Sequence, residues 1–131
     1  MMNRSHAVKH THLAISSFVV FPVSLIYGFA PEVFFKLSVN TIDEQNILKA
    51  IMGIYIAFAI LWVLGISKPK FWKIATVSNF IFMFGLAFGR IVSMIFDGIP
   101  SLLLLFGVVG ELVLGCYGIY IYQQNNNQEI I

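Results

Sequence analysis

The sequence predicts an all-α protein: four transmembrane helices in an antiparallel, up-down-up-down bundle, with a short interfacial segment between the first and second helices. Three observations predict it. Hydrophobic residues make up 59% of the 131 residues and charged residues 11%, whereas a soluble domain carries about 25% charged residues. The apolar residues fall into four runs, about 13–29, 47–66, 71–96 and 101–122, each close to the ~20 residues a helix needs to cross a bilayer. Two of the connections are tight, Ser67-Lys68-Pro69-Lys70 and Asp97-Gly98-Ile99-Pro100, so the spans they join must be antiparallel neighbours. One integral membrane domain, residues 1–131, accounts for the length. The lipid bilayer is the partner this composition demands. The formal net charge of +2, without a basic face, gives no reason to expect nucleic acid.

Met1 to His12 is polar and is expected to be a loose tail. His6, His10 and His12 would place imidazoles one turn apart in a helix. No cysteine or carboxylate stands beside them, so no metal site is expected. The first span, Leu13 to Phe29, carries no charge. Its basic flank and the Gly28-Phe29-Ala30 sequence mimic a signal peptide. Pro31 after the mimicked cleavage site, and three further spans, argue against cleavage. Pro22 is expected to kink this helix.

Ala30 to Asn46 is the long connection. Pro31 and Glu32 suit a helix start, and Val33, Phe34, Phe35 and Leu37 around Lys36 suggest the interfacial segment. Thr41-Ile42-Asp43-Glu44 reads as a capping box opening the second span. In that span Gly53, Ala57 and Ala59 would allow close helix approach, and Trp62 is placed as an interfacial aromatic.

The third span carries a stripe of Asn79, Met83, Leu86, Arg90, Ser93 and Asp97 at spacings of 4, 3, 4, 3 and 4. This puts four polar groups on one helical seam. Beside it, Gly85 and Gly89 form a GxxxG pair expected to face another helix. Pro100 is expected to start the fourth span. There Gly107, Glu111, Gly115 and Gly118 line one face as a glycine groove with a carboxylate at mid-height. Gln123 to Ile131 is expected to be a mobile polar tail. Cys116, the one cysteine, reads as a small packing residue.

Arg4, Lys9, Lys68, Lys70 and Lys73 lie on the side of the termini, and Lys36 and Lys49 on the other. The positive-inside rule then puts both termini in the cytoplasm of a plasma (inner) membrane protein.

Arg90 and Glu111 are ionisable groups where lipid should be, and intramembrane charges are expensive. Arg90 is seven residues from Asp97, so about 10 Å below the outer boundary; Glu111 is eleven from Pro100, so about 16 Å deep. The difference, about 6 Å, is within reach of an arginine side chain. The expected ligand-binding set is Arg90 and Glu111, with Ser93 and Asn79 as hydrogen-bonding groups and Asp97, Lys49 and Glu32 at the rim. Two alternatives stand beside it: an Arg90–Asp97 pairing, and an Arg90–Glu111 pair that only fixes helix register.

Tyr27-Gly28 with Pro31-Glu32, Lys49 to Tyr55, Gly89-Arg90 with Ser93, Asp97-Gly98 with Pro100-Ser101, and Glu111 to Gly115 together resemble a bacterial family of four-span membrane proteins of unknown function. The resemblance covers about residues 13–122 and, more distantly, extends to DoxX-like small membrane proteins. It implies an integral membrane protein and no established reaction. No phosphate loop, no histidine in the membrane body and no carboxylate pair in an aqueous cleft point to catalysis, so no enzyme activity, catalytic residue or cofactor is expected. The expected function is a non-enzymatic membrane protein holding a lipid-like small molecule or a partner helix at Arg90/Glu111. The alternative is a proton-coupled small transporter acting as a homodimer.

Overall fold

The computed structural model describes residues 4–128, with side chains from Ala7 to Asn127. Its elements are α1 (Arg4–Phe29), α2 (Pro31–Phe35), α3 (Ile42–Ser67), α4 (Pro69–Phe96) and α5 (Leu102–Gln128). No strand occurs among the described residues. Stretches of α1, α3, α4 and α5 are long and apolar enough to span a membrane: Ala7–Phe29, Ile42–Ser67, Pro69–Phe96 and Leu102–Asn127. The chain is a membrane protein of four long helices, with α2 in the α1–α3 connection. α1 packs on α3, α3 on α4 and α4 on α5, while α5 closes more sparsely on α1.

Local chemistry explains the element ends. At the start of α3, Thr41 Oγ1 accepts from the Glu44 amide at 3.1 Å, and Glu44 Oε2 accepts from the Thr41 amide at 2.9 Å and the Asn40 amide at 2.6 Å. This is the expected capping box. Lys68 alone separates α3 from α4, and Pro69 opens α4 at a position where a missing N–H costs nothing. Gly98 turns the chain between α4 and α5 with φ 107°, a conformation that penalises any side chain. Pro100 lies outside the helix it was expected to start; the Ser101 carbonyl instead accepts from the Leu104 and Leu105 amides.

Both supposed tails are largely helical. α1 begins at Arg4, and His12 and Leu13 are fully buried. α5 runs on through the polar stretch to Gln128, and residues 129–131 lie outside the described residues. Helical backbone satisfies its own donors and acceptors, so an Asn/Gln-rich segment continues the helix once the apolar span has nucleated it.

The packed core lies toward the end of the bundle that carries Lys68 and the chain termini, the terminal end. Leu13, Trp62, Trp72, Ala75 and Ile121 fill it. Trp62, expected at the interface, is fully buried and donates from Nε1 to Ser78 Oγ at 3.2 Å. Trp72 Nε1 donates to the Lys9 carbonyl at 3.3 Å, tying α4 to α1. Close approach of α3 and α4 depends on Gly65, where a Cβ would stand 2.3 Å from the Ala75 Cβ. Of the small residues expected at the interface, Ala59 is buried, whereas Gly53 and Ala57 face outward. Gly85 and Gly89 also face outward, with nothing within 4 Å of a Cβ at either. Among the described residues no other helix packs against the GxxxG pair. Cys116 is exposed.

The bundle opens toward its other end, the turn end, which carries α2 and the Asp97–Pro100 turn. No residue of α4 is buried beyond Ala87, and none of α3 before Tyr55. Asn79 and Asp97 are 18 residues apart, so at 3.6 residues per turn they share one face of α4. Burial nevertheless falls along that face, from full at Asn79 to exposed at Asp97. The seam is continuous, and its cover thins toward Asp97.

Candidate functional site

Arg90 sits where the packed core gives way to this opening. Its Nε donates to Glu111 Oε1 at 3.0 Å, joining α4 to α5. The side chains are 23% and 11% exposed, so the carboxylate is nearly enclosed and the guanidinium keeps an accessible edge. The second carboxylate oxygen, Glu111 Oε2, is buried with no hydrogen-bond partner among the described residues. Charge-assisted pairing of this kind offsets part of the cost of placing both ions in an apolar medium.

Two further groups complete the site. Tyr27, near the end of α1, and Tyr55 of α3 lie beside Arg90, and their rings are in contact. Each of the four long helices thus contributes one polar side chain: Tyr27, Tyr55, Arg90 and Glu111. From Tyr55 an aromatic ladder descends into the core. Tyr27 and Tyr55 rings meet edge-on at 5.5 Å, Tyr55 and Phe82 at 5.1 Å, and Phe82 and Trp62 at 5.2 Å. Edge-to-face pairs at these separations are favourable beyond their area. The ladder makes a firm floor beneath the Arg90–Glu111 pair.

The other residues expected at the site go elsewhere. Asp97 takes the Ser93 hydroxyl at 2.8 Å, one turn away on the same helix, and not Arg90. Asn79 lies eleven residues from Arg90, about 16 Å along α4, and is fully buried near the terminal end. Glu32 and Lys49 line a separate cleft of about 310 Å³, walled by Gly28 to Val33, Val39, Gln45 and Leu48. Arg90 and Glu111 do not line it. A second groove of about 640 Å³, almost wholly apolar, runs between α1 and α3 past Phe18, Phe21, Ala59 and Val63. The glycine face of α5 is filled below Glu111. A Cβ at Gly115 would lie 2.9 Å from the Phe84 ring, and one at Gly118 3.3 Å from the Phe80 Cβ. Only Gly107 on that face has open space beside it.

His12 Nε2 pairs with Thr76 Oγ1 at 3.2 Å, and the side chain of His6 lies outside the described residues. Among the described residues no group of three or more histidine, cysteine, aspartate or glutamate side chains could hold a metal ion.

A family model described as a domain of unknown function, DUF4345, matches residues 8–122. The chain belongs to this family. No curated protein and no solved structure matches it. The DUF4345 match covers all four residues of the polar site. Tyr27 and Tyr55 escaped the sequence reading as site residues because neither falls on the polar seam of α4. The signal that could have found them was present: both stand in the motifs that carried the family resemblance, Tyr27 beside Gly28 and Tyr55 at the end of the Lys49 segment.

Proposed function

We propose that this membrane protein is a non-enzymatic binder of an amphiphile, whose polar headgroup sits at Arg90, Glu111, Tyr27 and Tyr55. One observation carries the reading: Glu111 Oε2 is a buried acceptor with no partner among the described residues. A carboxylate oxygen held in an apolar medium wants a donor. Its twin oxygen is already taken by Arg90, so a hydroxyl or amine of a bound molecule would complete the carboxylate. The partly accessible guanidinium beside it suits an ester or phosphate oxygen of the same headgroup. Burial along α4 ends at Ala87, and the guanidinium edge left accessible there would be the point of entry.

We further infer that the termini are cytoplasmic and the membrane is the plasma membrane. Lys68 and Lys70 at the α3–α4 junction, with Lys9 and Lys73 nearby and Arg4 at the start of α1, support that orientation. The site then lies in the outer leaflet.

The experiment is to purify the protein from membranes and identify co-purifying amphiphiles by native mass spectrometry. Glu111→Gln keeps the shape and removes the charge. It should lower the fraction of protein carrying an adduct, and Tyr27→Phe should lower it less. Adducts that persist unchanged in Glu111→Gln, or a wild-type protein free of adducts, would contradict the proposal.

A proton-coupled transporter acting as a homodimer is the second reading, favoured by the same buried, half-paired carboxylate. It requires Glu111 to take up a proton in each cycle although Arg90 is bonded to its carboxylate. Proton flux into liposomes that vanishes in Glu111→Gln would support it, and absence of flux would remove it.

A further inference from the structure

A second set of buried polar groups lies far from Arg90, in the packed half of the bundle. His12 and Ser16 of α1 and Thr76 and Asn79 of α4 are each fully buried. His12 Nε2 pairs with Thr76 Oγ1 at 3.2 Å. Among the described residues the remaining atoms do not find partners: Ser16 Oγ, His12 Nδ1, and both the amide nitrogen and the carbonyl oxygen of Asn79.

Their placement is ordered. Ser16 follows His12 by four residues, about 6 Å toward the turn end, and Asn79 follows Thr76 by three, about 4.5 Å. α1 and α4 run in the same direction, since α3 returns the chain between them. Ser16 and Asn79 therefore occupy the layer next to the His12–Thr76 pair. Gly118 of α5 closes that layer: a Cβ there would stand 3.7 Å from Asn79 Oδ1 and 3.7 Å from His12 Cδ2. Three helices converge on a spot where an amide with two donors and an acceptor meets a hydroxyl, with no direct bond between them.

We propose that Ser16 and Asn79 hold at least one internal water molecule between α1, α4 and α5. A buried water needs two to four polar partners, and the hydroxyl and the two ends of the amide supply three. Nothing in the hydrocarbon of a membrane can satisfy these atoms in its place. The neighbouring hydroxyls have bonds of their own. The Thr76 hydroxyl pairs with His12, and Ser78 is engaged with Trp62 and the Ala75 carbonyl. Ser17 caps back to the Leu13 carbonyl at 2.7 Å. The site is independent of the amphiphile reading.

Solid-state NMR of the full chain in lipid bilayers tests it, by following magnetisation transferred from water to side-chain and backbone nitrogens. The Asn79 side-chain amide should gain signal nearly as fast as that of Asn40, which lies in the exposed α2–α3 connection, and several-fold faster than the backbone amide of Ala87, buried two turns further along α4. Asn79→Leu identifies the resonance by deleting it. Ser16→Ala removes one arm of the bridge, perturbs little else, and should slow the transfer to Asn79. Transfer to Asn79 no faster than to Ala87, or transfer unchanged by Ser16→Ala, would overturn the proposal.

Discussion

Replacing Arg90 and Glu111 with leucine, singly and together, separates the value of the ion pair from the cost of an orphaned charge. At the observed 3.0 Å separation and an effective dielectric of about 20, the attraction is about 5 kcal/mol. Desolvating each ion costs several kcal/mol, so the intact pair is close to balanced against two leucines. A single substitution has no such balance. Arg90→Leu strands a nearly enclosed carboxylate and should destabilise by about 3 kcal/mol, the low end of the range for broken buried pairs. Glu111→Leu leaves a guanidinium that keeps an accessible edge, and should cost about 2 kcal/mol for that reason. The double variant should lie within about 1 kcal/mol of the parent, a coupling of about 4 kcal/mol and within the span measured for close charge pairs. Reversible unfolding in mixed micelles can follow it through the fluorescence of Trp62 and Trp72, both in the core. Single variants within about 0.5 kcal/mol of the parent, or a double variant as unstable as the sum of the singles, would refute the reasoning.

Glycine substitutions should rank by what the new methyl meets. Gly65→Ala drives a Cβ against Ala75 and should cost about 1–3 kcal/mol. Gly28→Ala meets the flexible Met52 side chain, 2.2 Å from the sulfur, and should cost less. Gly89→Ala meets nothing within 4 Å and should be neutral or stabilising by about 0.5–1 kcal/mol through helix propensity; the same micelle unfolding assay checks the order. Thr41→Ala removes the α3 cap and should lower stability by about 1 kcal/mol, with faster hydrogen exchange at the Glu44 and Gln45 amides. Cysteine introduced at Lys68 should be blocked by an impermeant thiol reagent only after cells are opened, whereas cysteine at Lys36 should react in intact cells.

The span count, the capping box and the Arg90–Glu111 contact were all readable because each rests on local spacing. A charge on either side of a four-residue turn has few other places to find an opposite charge, so depth counted from the turn sufficed. What escaped depends on how fully the helices cover one another. The α4 seam is continuous in sequence, yet Ser93 and Asp97 are exposed because the cover over α4 thins beyond Ala87, and no periodicity reports that. Asn79 belongs to the same seam and lies in a different environment for the same reason. Small residues carried no facing either: Gly65 is at a helix contact while Gly85 and Gly89 are not. The buried end of α1, with His12 in the core, was hidden by polar residues whose partners come from α4. Tyr27 was legible as part of a motif but not as a neighbour of Arg90, since that contact joins residues far apart in the chain.

The central claim is that Arg90 and Glu111 are joined inside the bundle, and a dipolar-coupling distance between Arg90 Nε and Glu111 Cδ in bilayers tests it most directly. A 3.0 Å bond from Nε to Oε1 predicts about 4 Å or less to the carboxyl carbon. A distance beyond about 6 Å, outside hydrogen-bonding range, would contradict it.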